Sequence, residues 1–284
     1  MLLLVSMAIN YNSINSIKTE LDRKNIAPRK IWGQNYLINE YIREKIVDAL
    51  DIKENETIWE IGPGLGAMTI LLLKKTNFLT AFEIDKKYSE ILNEYFKKFK
   101  NFKLIEGDFL KTYKEEKKSV SKIFSNLPYN IASKVIYKLI EDKILNQMVF
   151  TVQKELADRM LTKNGTKTYS SFTVLVQSHF NVTKIMDIDK NNFYPIPKVK
   201  SSTIKLIPKE LEIKKFKEFN KLVRTVFTSR RKKLKNTIIN LVKSEKILKE
   251  EFLTNFLDKR PEEISVEEFI EISNKLTTYH EGTC

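Results

Sequence analysis

Cysteine is almost missing from this 284-residue chain; the single one, Cys284, is the last residue. That excludes a disulfide framework and a cysteine metal cluster, and it suits a reducing compartment. Histidine is nearly as scarce. His179 and His280 stand far apart in no ligand or triad spacing, so chemistry built on a histidine base or on zinc is disfavoured, no metal is expected, and both read as surface or packing residues. Long apolar runs are also lacking. The opening Met1-Leu2-Leu3-Leu4-Val5 has no basic flank and is too short for a bilayer, which fits an upstream start before Met7 better than a leader or a span. The expectation is a soluble cytoplasmic protein without membrane contact.

Positive charge, by contrast, is in excess. A formal net charge of +14 suggests a polyanionic partner. Coding bias toward Lys could produce the same total, since Arg accounts for only 8 of the 50 basic residues. Position argues against bias alone. Residues 209–249 hold fourteen Lys or Arg against four Glu, whereas from Glu250 onward three basic residues meet nine acids. Arg224, Arg230 and Arg231 fall within eight residues of one another, followed by Lys232 and Lys233. A basic cluster at the start of a helix opposes the helix dipole unless an anion lies nearby, so these five residues are candidate phosphate contacts; solvated surface is the plain alternative.

Residues 10–30 are polar without clear period and carry Arg23, Lys24, Arg29 and Lys30; 1–27 are read as a flexible arm, and such a stretch is usually solvated, though a basic one can touch phosphate. After Trp32-Gly33-Gln34-Asn35-Tyr36-Leu37 and an amphipathic helix from Glu40 to Leu50, the pattern at Thr57 becomes strand, glycine loop, helix. The strand is Thr57–Ile61, the loop Gly62-Pro63-Gly64-Leu65-Gly66, and the helix Ala67–Lys74. Such a loop lets a ligand approach the backbone, and unpaired N–H groups of the helix start face it. A second strand, Phe78–Phe82, ends at Glu83, about 20 residues on, where an acid can accept from ribose hydroxyls. A third, Phe102–Ile105, leads to Asp108. Either acid could instead be a cap or a surface charge.

A fourth strand ends at Asn126-Leu127-Pro128-Tyr129, ahead of a helix over Ser133–Ile140. The exocyclic amine of adenine is a poor nucleophile because its lone pair is delocalised into the ring. Two acceptors at one point, the Asn126 side-chain oxygen and the Leu127 carbonyl, would take its N–H groups and direct that pair outward. Pro128 fixes φ, and Tyr129 offers a ring face. A strand-to-helix turn without chemistry is the rival reading. Phe193, in Phe193-Tyr194-Pro195-Ile196-Pro197-Lys198-Val199, could supply a second stacking face or simply pack. An acid for ribose, an acid near adenine and an amine pocket suit S-adenosylmethionine better than a nicotinamide cofactor, which would need a hydride acceptor site. Four such strands suit an open α/β sheet with ligands beyond the C-terminal strand ends. After Pro208 the pattern is helical throughout: Phe216–Phe227, Lys232–Lys243, Ile247–Asp258 and a last helix capped by Ser265 with Glu268.

Together these motifs resemble one family, the small-subunit ribosomal RNA adenine N6,N6-dimethyltransferases (the KsgA family), over nearly the whole chain from about Pro28. The resemblance rests on Gly33 to Leu37, Glu60 to Ala67, Asn126 to Ile131, Val152 to Glu155, Phe193 to Val199 and Phe227 to Lys233. It implies a Rossmann-like class I methyltransferase domain over 28–207 and a small all-helical RNA-binding domain over 208–284. The implied activity dimethylates two adjacent adenosines near the 3′ end of 16S rRNA in the small ribosomal subunit, with the enzyme a monomer. Carried over, Asn35, Leu37, Gly62, Gly64, Glu83, Asp108 and Asn126 would bind cofactor, and Asn126, Leu127, Pro128, Tyr129 and Phe193 would form the adenine pocket. Ala132, Lys134 and Lys200 depart from the family pattern and bear on RNA contacts. Two alternatives are the macrolide-resistance type acting on large-subunit RNA, which Leu127 and Arg230 to Lys233 disfavour, and a non-catalytic assembly factor, which intact Glu83, Asp108 and Asn126 disfavour.

Overall fold

The computed structural model describes residues 9–27, 34–53, 55–116, 120–210, 212–242 and 250–282. The opening apolar stretch, Arg29, Lys30, Trp32, Gly33, Lys243, Ile247 and Cys284 lie outside the described residues. No helix among those described is long and apolar enough to cross a membrane.

The chain divides into two compact units, Met1–Ala157 with Thr183–Ile207, and Asp158–Val182 with Pro208–Cys284. This differs from the single cut expected at 207/208. Residues 158–182 belong with the C-terminal helices because their apolar side chains are buried there: Tyr169 is 1% exposed, its ring 6.0 Å from that of Phe227.

In chain order the elements are α1 (Ile14–Arg23), β1 (Tyr36–Leu37), α2 (Glu40–Asp48), β2 (Thr57–Ile61), α3 (Thr69–Leu73), β3 (Phe78–Glu83) and α4 (Lys86–Phe96). Next come β4 (Phe102–Glu106), α5 (Phe109–Thr112), β5 (Lys122–Asn126), α6 (Ala132–Glu141), β6 (Gln147–Gln153) and α7 (Lys154–Leu161). Then follow α8 (Ser171–Gln177), β7 (Phe180–Ile188), β8 (Phe193–Tyr194), β9 (Ser201–Pro208), α9 (Phe216–Phe227) and α10 (Lys235–Val242).

The first unit is built on a sheet of order β4-β3-β2-β5-β6-β9-β7. Its first five strands are parallel, and β9 runs antiparallel to β6, with Gln153 opposite Ser201. Helices on both faces explain why β2 and β6 are buried almost throughout and lack an alternating pattern. Ile58 joins the aliphatic core with Leu72, Leu92 and Phe96. Its neighbour Trp59 points the other way, edge-on to Phe82 at 5.3 Å and Phe109 at 6.0 Å. The connections from β2 and β5, neighbours at the centre, run to opposite sides, and such a switch point opens a crevice at the C-terminal strand ends. A separate two-stranded ribbon pairs β1 with β8, Leu37 opposite Phe193 and Tyr36 opposite Tyr194.

The segment expected to be a flexible arm is structured over its described part. Ser13 caps α1, its hydroxyl accepting from the Ser16 N–H at 3.3 Å. Ile17 and Leu21, one turn apart, are buried in the core with Ile9, Tyr11 and Ile26. The helix has three apolar residues, Ile14, Ile17 and Leu21, at the helical spacing i, i+3, i+7; Ile14 is exposed, and the flanking residues outside the helix complete the contact. Arg23 pairs with Glu20 and Glu94, and Lys24 with Glu94.

In the second unit α9 has the bounds expected from sequence, and the last helix, Val266–Gly282, starts at the anticipated box: Ser265 N–H donates to Glu268 Oε2 at 2.8 Å and Glu268 N–H to Ser265 Oγ at 3.1 Å. The helix expected from Lys232 begins only at Lys235, so Arg230 to Lys233 occupy the preceding turn rather than a helix start. His179 is a packing residue, edge-on to Phe216 at 5.4 Å, and burial lowers its pKa.

Gly66 has the tightest position in the loop after β2. Its φ is +88°, and a Cβ there would lie 2.5 Å from Cε2 of Phe96, a fully buried ring. Gly66→Ala should therefore lose about 2–4 kcal/mol of folding stability from backbone strain and overpacking. Chemical denaturation checks this, and a loss below about 0.5 kcal/mol would contradict the close contact.

Candidate functional site

The polar residues that end the central strands converge on one cleft. It is lined by the glycine loop Gly62–Leu65 after β2, by Glu83 and Ile84 after β3, by Gly107, Asp108 and Phe109 after β4, and by Asn126, Pro128 and Ile131 after β5. Gln34, Asn35, Tyr36 and Leu37 close it from the ribbon side. Every residue expected from sequence to hold a cofactor, Asn35, Leu37, Gly62, Gly64, Glu83, Asp108 and Asn126, lines this cleft.

Glu83 is the best-determined side chain. Its Oε2 accepts from the Gly64 N–H at 3.1 Å and its Oε1 from the Asp85 N–H at 2.9 Å. One carboxylate thus ties the glycine loop to the turn after β3. Gly64, at φ +57°, can present its N–H this way without strain. At Gly62, φ +70°, an added Cβ would meet nothing within 4 Å, so the missing side chain leaves open space beside the loop. Each carboxylate oxygen keeps a second acceptor direction for a ligand hydroxyl. Asp108 is the helix cap that one reading expected, its side chain accepting from the Leu110 N–H at 3.0 Å, and it also lines the cleft.

Glu60, to which the sequence reading assigned no role, also lines the cleft, 2% exposed, and accepts from the Thr69 hydroxyl at 2.7 Å. Its signal in the sequence was a lone acid inside an otherwise apolar strand, which a buried position makes costly. Burial pushes the Glu60 carboxyl up to about 8 against the Thr69 hydrogen bond, and the Glu83 carboxyl up to about 7 against its two backbone donors. Among the described residues no Lys or Arg lines the cleft. The described lining therefore suits a cationic or neutral ligand better than a pyrophosphate.

The Asn126–Tyr129 stretch is split. Asn126 and Pro128 line the cleft, while Leu127 is buried and its N–H donates to the Thr151 carbonyl at 3.0 Å. The Asn126 amide Nδ2 donates to the Asn35 carbonyl at 3.4 Å, a long bond that turns its oxygen into the remaining acceptor. The Pro128 carbonyl accepts from the Ile131 N–H, so the turn reading is also met. Tyr129 does not line the cleft; its hydroxyl meets Ser201 Oγ at 2.6 Å. Phe193 is 1% exposed within the core and presents no free ring face. Among the described residues no three His, Cys, Asp or Glu side chains form a metal site.

In the second unit the basic cluster divides as well. Arg230 is half-buried and paired within the unit: its Nε donates to Glu262 Oε2 at 2.5 Å and its Nη2 to the Thr166 carbonyl at 2.9 Å, with a further bond to the Lys167 carbonyl. Lys233 pairs with Asp258 at 3.0 Å. Arg224, Arg231 and Lys232 are exposed.

Residues 26–278 match the model of the family described as ribosomal RNA adenine dimethylase. The chain is 74% identical over 280 residues, 99% of its length and 100% of the relative's, to ribosomal RNA small subunit methyltransferase A of Borreliella afzelii. It is 40% identical to the protein of that name from Treponema denticola, covering 83% of each chain. Among solved structures it resembles a dimethyladenosine transferase from Plasmodium falciparum, with a TM-score of 0.75 and 29% identity over 84% of this chain and 96% of that one. The 23S rRNA methyltransferase ErmE, at TM-score 0.64 and 20% identity over 85% of this chain and 99% of that one, shares the fold.

The buried Glu60 carboxyl sets a pH dependence. Its folded pKa lies above its ordinary value of 4.5, so its stabilising contribution is complete below that value and is lost as pH rises through about 8. Glu60→Gln removes the titration. The stability of the native chain relative to this variant should fall by roughly 2–4 kcal/mol between pH 5 and pH 9. Paired thermal melts across that range test it, and a constant difference would show that Glu60 is not desolvated.

Proposed function

Since the chain belongs to the ribosomal RNA adenine dimethylase family, we propose that it dimethylates the N6 amines of two adjacent adenosines near the 3′ end of small-subunit rRNA, with S-adenosylmethionine as donor. The observation that carries this reading is the convergence of Asn126, Pro128, Asp108 and Glu83 on one cleft that no Lys or Arg lines among the described residues. The near-full-length identity to small-subunit methyltransferases favours that RNA over large-subunit RNA. S-adenosylmethionine is a cation, with a sulfonium, an ammonium and a ribose diol. The residues fit it: Glu83 and Asp108 would accept from its nucleoside, and the open space at Gly62 would admit it closely.

When bound, this cofactor supplies a methyl group already activated by the positive sulfur. The chain's own residues then need only bind, orient and direct the amine. The Asn126 side-chain oxygen and the Leu127 carbonyl accept the N–H groups of a target adenosine flipped out of its stack, which directs the lone pair at the donor. The amine proton leaves to water. Repetition at the same amine requires that one N–H remain bonded to one of these two acceptors. Arg224, Arg231, Lys232 and Lys233 of the second unit would hold RNA phosphates, whereas Arg230 holds the unit itself together through Glu262 and the Thr166 carbonyl.

Asn126→Ala should lower methyl transfer to undermethylated small subunits by at least about 100-fold while leaving subunit binding within about threefold. Persistent transfer would remove Asn126 from the amine pocket, and label appearing in large-subunit RNA would overturn the proposed substrate. Replacing Arg231 and Lys232 together by Ala should reduce the slope of log affinity against log salt by about 2. Equal slopes would return both residues to ordinary surface.

A further inference from the structure

The loop from Pro195 to Lys200 takes no part in the reading above, yet it is fastened at both ends, on one side to a residue that lines the cleft and on the other to the turn after Asn126. Before it, Tyr194 pairs with Tyr36, which lines the cleft. After it, Ser201 Oγ lies 2.6 Å from the hydroxyl of Tyr129, three residues beyond Asn126, and Ser201 pairs with Gln153 in the sheet. Its backbone is stiffened by two prolines on either side of Ile196, and Pro197 is buried as an anchor. On this rigid support Ile196 is 61% exposed and Val199 44% exposed, so two aliphatic side chains of one short loop face water. Single exposed apolar residues need no explanation. Two on a loop braced at both ends are different, because its entry strand pairs with the cleft residue Tyr36 and its exit is bonded to Tyr129, three residues beyond Asn126.

Charge around the loop identifies the partner. Lys198 and Lys200 alternate with the aliphatic side chains and are exposed. Lys200 carries only a long ion pair with Asp189, at 3.6 Å. Lys18, exposed on α1, lies 5.5 Å from the centre of the Tyr194 ring at the loop's entry. Apolar side chains that insert or stack beside bases, flanked by cations that hold phosphates, match a nucleic-acid strand whose stacking has been opened. A protein partner would be met equally well by the aliphatic pair but would gain less from three lysines.

Resting on the proposed RNA adenine methylation, we propose that Ile196 is a positioning residue, an apolar wedge that occupies the stack beside the target adenosine and keeps it extruded, with Lys198 holding the adjoining phosphate. A wedge acts on how often the base is presented, so its loss lowers turnover more than binding. Because Ile196 is mostly in water, its replacement does not empty the core.

The test uses the full chain, undermethylated small subunits and labelled S-adenosylmethionine. Ile196→Ser should lower kcat about tenfold with subunit affinity, cofactor affinity and Tm nearly unchanged, and Ile196→Leu should restore kcat to within about threefold. Subunits reconstituted with 2-aminopurine at the target position should brighten on binding the native chain and much less with Ile196→Ser. A kcat within twofold of native, a loss that appears only as weaker subunit binding, or equal brightening would each overturn the wedge. If the native chain itself transfers no methyl group to the subunits, the methylation reading fails instead, and that result is separable because it precedes any substitution.

Discussion

A carboxylate nearly withdrawn from water is the constraint on which the first unit depends. Burying such a group is costly unless its oxygens are met by donors. At Glu83 both donors are backbone N–H groups, one from the glycine loop and one from the turn after β3. The side chain therefore fixes the separation of two loops that arise from different strands. The same withdrawal leaves Glu83, like Glu60, facing a cleft that no cationic side chain lines among the described residues. A cationic ligand would relieve that desolvation, so the feature that shapes the site also selects its occupant.

The second unit uses charge differently. Arg230 resembles its basic neighbours in sequence but spends its donors on Glu262 and on the carbonyls of Thr166 and Lys167. Planar guanidinium geometry suits that bridging better than a lysine ammonium would. Arg231 and Lys232, the next two residues, remain exposed on the turn before α10. A run of like charges thus separates into a structural brace and outward cations, which pairwise counting could not distinguish.

Much of this was readable beforehand. Glycines at 62, 64 and 66, acids at 83 and 108 and Asn126 each sit where a strand gives way to a loop, and the structure gathers 62, 64, 83, 108 and 126 at one cleft. Strand and helix positions follow from apolar runs and caps, as with α9 and the box at Ser265. Other features were not legible. The α1 helix carries its period on only Ile14, Ile17 and Leu21 within a polar stretch, and its burial is completed by Ile9, Tyr11 and Ile26 beside it. Residues 158–182 precede the charge change at Pro208, so composition could not show that they pack with the helices after it.

By itself the sequence determined the order of strands, loops and helices, the chemistry available at each strand end, and the family, because these depend on local residue types and spacing. Tertiary structure decided which of those residues share a space. Tyr129 and Asn126 are three positions apart, yet only Asn126 lines the cleft, since the Tyr129 hydroxyl is drawn to Ser201. Phe193 faces Leu37 across a two-stranded ribbon and is enclosed there, a pairing between residues more than 150 positions apart. Burial and long-range hydrogen bonds set these outcomes, and neither is a property of a short stretch of chain.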